Sequence, residues 1–118
     1  MTVLDRSSAP PAVTVSVTAR LFQVLADPTR LALVWALARR ELTVAELVAE
    51  LGVPRSRVSN HLACLRWCEV VEARPRGRHR VYRLRDPRVP ALLADAERLA
   101  AGQARRLGSC TRLGPDWM

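Results

Sequence analysis

The chain has 118 residues, 49% of them hydrophobic, with 19 basic side chains against 11 acidic ones, a formal charge of +8 and a pI near 11.3. That length suits one domain able to bury its own core, and no apolar run approaches the ~20 residues that span a membrane. Every basic residue is arginine, and an excess of this size makes an anionic polymer the leading partner, with no membrane and no small organic substrate expected.

Three cysteines, Cys64, Cys68 and Cys110, are an odd number, which argues against a self-contained disulfide framework. Residues 1–14 lack the positive region and continuous apolar run of a signal peptide. The expectation is a cytoplasmic protein whose cysteines are thiols or metal ligands.

Residues 1–14, with Ser7-Ser8-Ala9-Pro10-Pro11, show no helical period and read as a flexible N-terminal arm. From about Ser16, the spacing of Val17, Leu21, Val24 and Leu25 predicts an amphipathic helix. Asp27-Pro28 ends it and opens the next, Asp27 as a cap and Pro28 as a first helical residue. Leu31, Leu33, Val34, Trp35 and Leu37 make that second helix apolar around most of its circumference, so it should be central. Thr43-Val44-Ala45-Glu46 is a capping box, and Gly52 is suited to the left-handed end of the short helix that follows.

The chain re-enters helix at Pro54, with Val58, Leu62 and Leu65 on the buried face. Two helices joined by a tight glycine turn, the second rich in polar groups at its start, form a helix-turn-helix. Arg55, Ser56, Arg57, Ser59 and Asn60 crowd those first turns with donors suited to base edges and phosphates. Beyond Cys68, two strands from Val70 to Arg74 and from His79 to Leu84 surround Pro75-Arg76-Gly77-Arg78 as a basic hairpin. Beside a helix-turn-helix such a hairpin is a wing, with Arg76, Arg78 and Arg80 placed for phosphates or a minor groove. A last helix, opened by Asp86-Pro87 and running to Leu107, carries Leu92, Leu93, Ala96, Leu99, Ala100, Gln103 and Leu107 along one side. A domain this small has little core to cover that stripe, so dimerisation against the first helix is the expected use. The fold class is mainly α with a β-hairpin wing (α+β), a winged helix-turn-helix that is homodimeric through its first and last helices. Residues 15–107 form the domain and 108–118 a tail.

Three stretches resemble the ArsR/SmtB family of bacterial repressors: Ala26-Asp27-Pro28-Thr29-Arg30-Leu31, Val58-Ser59-Asn60-His61-Leu62-Ala63-Cys64-Leu65-Arg66 and Gly77-Arg78-His79-Arg80-Val81-Tyr82-Arg83-Leu84. The resemblance covers roughly residues 17–107 and implies a homodimer that holds double-stranded operator DNA until an inducer binds. The family's arsenic-type site needs cysteines in the stretch that here reads Glu41 to Leu47, and none is there. Its zinc-type site needs histidines on the last helix, and Asp86 to Leu107 has none. Its cadmium- and lead-sensing branch, the CmtR type, carries two cysteines four apart in the recognition helix and one beyond the last helix. Cys64, Cys68 and Cys110 match that arrangement. The family usually has glycine where this chain has Glu69, at the left-handed end of the recognition helix, so two readings are open here: a helix that ends differently, or a Glu69 oxygen near the metal as a fourth ligand.

About 100° per helical residue puts Cys64 and Cys68 on the flank of the apolar face, about 40° apart. Thiolates are soft donors, so such a site favours soft ions and excludes magnesium and calcium; cadmium and lead fit the three-thiolate count and are what the resemblance implies, with zinc or copper(I) also chemically compatible. Cys110 lies beyond the dimer helix, where it could reach the pair on the other subunit. His61 belongs to the family's helix motif and is expected to pack or bond near DNA, and His79 to meet phosphate, so neither is assigned to the metal. Trp35 and Trp67 read as packing residues, and Trp117 as a cover for the site or a solvent-exposed end. Two other functions stay open on sequence: a thiol redox repressor using a reversible disulfide to Cys110, and a winged-helix interaction module without DNA binding. No phosphate-binding glycine loop, nucleophile elbow or paired carboxylate motif marks an enzyme.

Overall fold

Local capping chemistry fixes the starts of the second and third helices. The computed structural model describes residues 10–110; most of the expected arm, and the tail beyond Cys110 with Trp117, lie outside them. Helix α1 (Ala12–Ala26) starts ahead of the expected Ser16, so the end of the expected arm is helical. The cause is Pro11, whose extended backbone ends the preceding segment while its carbonyl accepts from the Val15 amide at 3.1 Å. At the next junction Asp27 caps α2 (Pro28–Arg39), accepting from the Arg30 amide at 2.9 Å, with Pro28 in the first turn. The Arg30 guanidinium reaches back to the carbonyls of Val24 at 2.7 Å and Gln23 at 3.3 Å. It thereby satisfies acceptors that the end of α1 would otherwise leave to water.

Helix α2 is the centre of the fold, as its all-round apolar sequence implied. Leu33, Val34, Ala36 and Leu37 are buried, and Trp35 packs half-buried against the same core. Around α2 lie α1, α3 (Val44–Leu51), α4 (Arg55–Trp67), β3 (His79–Leu84) and α5 (Val89–Gly102). Leu25 of α1, Leu47 of α3, Val58, Leu62 and Leu65 of α4 and Leu93 of α5 complete the helical part of this core.

A two-residue strand, β1 (Leu42–Thr43), was not expected from sequence and pairs antiparallel with β3, Leu42 opposite Tyr82 and Thr43 opposite Val81. Thr43 then changes role. Its hydroxyl accepts from the Glu46 amide at 3.1 Å while the Glu46 carboxylate accepts from the Thr43 amide at 2.9 Å, closing the expected capping box on α3. Gly52 ends α3 in the left-handed conformation, φ 65°. Pro54 is not inside the next helix, as anticipated, but caps it: its backbone is extended and its carbonyl receives the first α4 hydrogen bond, from the Val58 amide at 3.0 Å.

The wing is β2 (Val71–Arg76) paired with β3, in sheet order β1-β3-β2. Strand β2 continues through Pro75 and Arg76, which sequence had placed in the turn; Pro75 pairs with Arg80. A proline is tolerated there because β2 is the edge strand. The last helix also departs from expectation, since α5 begins at Val89 and breaks at Gln103 before α6 (Ala104–Gly108). Asp86 accepts from the Arg88 amide at 2.9 Å, which spends the aspartate on a turn ahead of the helix. Gly102, a weak helix former, stands at the break.

Candidate nucleic-acid interface and thiol site

Helix α4 begins with the donors and ends with the thiols. Arg55, Ser56, Arg57, Ser59 and Asn60 are all exposed on its first turns, and neither arginine has a carboxylate within salt-bridge distance among the described residues. Burial of Val58, Leu62 and Leu65 on the opposite side holds this row outward. His61 is placed differently from its neighbours: half-buried, it turns toward α2, with Nε2 3.8 Å from the Asp27 carboxylate. In this arrangement it ties α4 to the cap of α2.

The arginines of the hairpin divide into two sets. Arg74 is held by Glu41 at 2.5 Å, and Arg83 by Glu72 at 2.6 Å and Glu41 at 3.6 Å. The Glu72 carboxylate raises the Arg83 pKa above its already high ordinary value, so this charge is fixed and engaged. Arg76, Arg78 and Arg80 are exposed and have no such partner among the described residues. They surround the Gly77 turn and project positive charge from the tip of the wing. His79 is exposed beside them, opposite Arg76.

At the far end of α4, Cys64 is half-buried and Cys68 exposed, and the Cys68 amide donates to the Cys64 carbonyl at 3.0 Å. One helical turn separates them, which sets the two thiols side by side on the flank of the helix. Partial burial, the Cys64 thiol and a hydrogen bond to it push the Cys68 thiol above its ordinary pKa, against a smaller opposing pull from Arg30. Cys68 also lines a cavity of about 200 Å³ with Leu21, Leu25, Val70, Val89 and Leu92. It therefore sits at the seam between α1, the recognition helix and α5.

The turn after Cys68 keeps the left-handed geometry despite lacking glycine. Glu69 has φ 61°, and is the single non-glycine residue with positive φ among those described. The Val70 amide reaches the Leu65 carbonyl at 2.9 Å and the Glu69 amide reaches Arg66 at 3.0 Å, the two bonds of a Schellman end. The Glu69 carboxylate pairs with Arg85, and that of Asp86 with Arg88, so both acids near Cys68 already have cationic partners.

Cys110 is exposed beyond α6, its amide 3.5 Å from the Leu107 carbonyl. Among the described residues no three His, Cys, Asp or Glu side chains converge as a metal group. The structure thus brings Cys64 and Cys68 together and does not bring Cys110 to them within one chain. Two thiols suit a soft ion at two of its ligand positions. Two features went unread in sequence. Arg30 is the clip on α1, and Trp67, expected to pack, is 88% exposed.

Residues 27–73, from the α2 cap through both helices of the turn and into the wing, match the model of the family described as bacterial regulatory protein, arsR family. A probable mercury resistance operon repressor of Streptomyces lividans is 48% identical over 96 residues, covering 81% of this chain and 77% of the relative. The chain belongs to the ArsR family. Its membership makes it a DNA-binding transcriptional regulator and not an enzyme. The NMR structure of the cadmium metal-sensor CmtR from Mycobacterium tuberculosis is similar at 44% identity and a TM-score of 0.58, covering 65% of this chain and 80% of that one. Similar too, at 26% identity and a TM-score of 0.69, is the homodimeric winged helix-turn-helix DNA-binding domain Mb0332 from Mycobacterium bovis, with 87% of this chain and 94% of that one covered. As in other members of the ArsR family, the architecture is a winged helix-turn-helix, and no single helix among the described residues is long and apolar enough to cross a membrane.

Proposed function

We propose that this chain is a metal-sensing repressor that holds operator DNA as a homodimer and releases it when a soft heavy-metal ion, cadmium or lead, binds the thiolates of Cys64, Cys68 and Cys110. The observation that carries this reading is the position of the thiol pair. It closes the last turn of the helix whose first turns present Arg55, Ser56, Arg57, Ser59 and Asn60. An ion held there acts on the end of the DNA-reading element and on the seam with α1.

The chain's own residues divide the work. Arg76, Arg78 and Arg80 supply phosphate contacts that position the wing, and the first turns of α4 supply base contacts. A dimer sets two such helices into successive major grooves, so the operator is an inverted repeat. Subunit contact falls on α1 and α5, where Val13, Val17, Phe22 and Leu99 lie exposed with no core to cover them. Because Cys110 stands apart from the pair in one chain, the third thiolate is assigned to the tail of the other subunit, and residues 108–118 act as a ligand arm. The relative named for cadmium sensing supports the choice of ion.

A second reading is favoured by the relative named for mercury resistance and by the two-thiol geometry. Mercury(II) is soft and accepts two thiolates in line, so Cys64 and Cys68 would suffice without Cys110. Titration of reduced protein with each ion, followed by sulfur-to-metal charge-transfer absorption, tests both. Cadmium absorption that is lost in Cys110→Ser supports the three-thiolate site; a mercury signal unchanged by that substitution supports the two-thiolate one. No absorption with either ion would remove the thiol site.

A further inference from the structure

Cys68 opens on an apolar cavity that Cys64 does not line. The cavity, about 200 Å³, has Cys68 in a wall made by Leu21 and Leu25 of α1, Val70 beyond the recognition helix, and Val89 and Leu92 of α5. Leu25 and Val70 are buried, Val89 and Leu92 half-buried, and Leu21 is 40% exposed. Glu69 and Asp86 also line it, but their carboxylates are paired with Arg85 and Arg88, so neither is a free oxygen donor for a harder ion. A bare soft ion on the thiols leaves this apolar space unfilled. A cavity of about 150 Å³ lined by aliphatic and aromatic side chains is enough to hold benzene, so the space suits one six-membered ring.

We propose that this cavity takes the organic group of a monoorganomercury cation, phenylmercury in class and size, whose mercury is bonded to Cys68 Sγ. The inference rests on the reading of Cys68 as a soft-metal thiol and deepens it by naming a ligand that a bare-ion site does not select. Mercury already bonded to one carbon takes one further strong donor, in line with that carbon. With the sulfur in the cavity wall, the group across the metal from Sγ is received by the apolar space. In the binding step the thiol S–H bond breaks and an S–Hg bond forms. The proton passes to water, the acetate or chloride that mercury carried in leaves, and no atom changes oxidation state. One thiolate is enough, so Cys64 and Cys110 are not needed, whereas an inorganic ion is shared between two or three thiolates. Size is what the walls select: burying more of the organic group stabilises the adduct at Cys68 and does nothing for one at Cys64.

The test partitions phenylmercury and methylmercury between the full reduced chain and glutathione, which cancels the intrinsic strength of the mercury-to-sulfur bond, and reads the adducts by intact-protein mass spectrometry. Two double variants isolate the thiols: Cys64→Ser with Cys110→Ser leaves Cys68, and Cys68→Ser with Cys110→Ser leaves Cys64. A phenyl ring carries several more carbons than a methyl group, and each carbon buried from water is worth about fourfold in affinity. Protein with Cys68 alone is therefore expected to favour phenylmercury over methylmercury at least about tenfold more than glutathione does. Protein with Cys64 alone should match glutathione. Filling the cavity, by Val89→Phe or from the exposed side by Leu21→Phe, is expected to remove the preference while the charge-transfer absorption of mercury(II) on the thiol pair stays. If a filled variant unfolds, the comparison of Cys68 with Cys64 still decides. A glutathione-like ratio at Cys68, an equal preference at Cys64, or a preference that survives in both filled variants would overturn the proposal. Should mercury(II) and both organomercury cations fail to bind Cys68, the thiol-site reading itself fails; binding with a glutathione-like ratio removes the cavity alone.

Discussion

Glu69 shows how one side chain can be asked to hold a shape that suits glycine. Its φ of 61° completes the Schellman end of α4, which aims the chain from Cys68 into the wing. An L-residue in that conformation costs about 1 kcal/mol relative to glycine, and the exposed pair with Arg85 returns little of it. Glu69→Gly should therefore stabilise the protein by roughly 1 kcal/mol in urea denaturation, with an unchanged slope. A destabilised variant would mean that the Arg85 pair matters more than the backbone. The departure from the family's glycine leaves two readings open on sequence, a different helix end or a Glu69 oxygen near the metal. The backbone keeps the left-handed end, and the carboxylate pairs with Arg85. Trp67 is the opposite case, a large aromatic residue expected to pack. Its place on α4 is well away from the face of Val58, Leu62 and Leu65, so helical phase points it outward even though its chemistry favours the interior.

At the scale of elements, the parts legible in sequence are those whose signals are local. Asp27, the Thr43 and Glu46 box and Gly52 set their helix ends through neighbours within four residues. Strand β1 was missed because two residues carry no period, and their pairing with Tyr82 and Val81 is nonlocal. Asp27 also joins elements, capping α2 while facing His61 of α4. Asp27→Ala should cost about 1 kcal/mol, read as a lower urea midpoint. Its carboxyl sits below the ordinary 3.8, chiefly because the Arg30 amide bonds the ionised form. The Asp86 carboxyl is held at about 2 by Arg88. Both folded values are depressed, so their contribution is present above the ordinary carboxylate pKa and lost as pH falls through the folded one. Stability should therefore decline as pH drops from about 4 toward 2, and less steeply in the Asp27→Ala variant; equal slopes would deny the cap its role.

The wing gives a sharper contrast at the same scale. Arg78→Ala should lower the slope of log affinity against log salt by about 1, whereas Arg83→Ala, whose charge is already taken by Glu72 and Glu41, should leave it nearly unchanged. Equal effects from both would mean that charge on the hairpin acts as a diffuse field and not through the tip. The sequence singles out Arg76, Arg78 and Arg80, but that Arg74 and Arg83 are engaged depends on Glu41, far away in the chain, and on Glu72 across the hairpin. That pairing forms across the sheet.

For the whole molecule, the +8 charge, the exposed arginines of α4 and the wing, and the uncovered apolar α1 support the proposed dimer on DNA. The thiol pair at the seam of α1, α4 and α5 is where an ion could change how the subunits present their helices. The helix-turn-helix and the pair were legible because each is a spacing within a helix. The path from Cys110 to the pair was not, because it is not closed within one chain. The central claim is tested most directly by operator affinity, measured by anisotropy for wild type and Cys64→Ser with and without saturating cadmium. The expected result is a loss of about 5- to 150-fold in the wild type and no loss in Cys64→Ser, whose metal-free affinity stays at the wild-type value. A wild-type affinity indifferent to cadmium, lead and mercury, or a Cys64→Ser variant released as readily as the wild type, would contradict it.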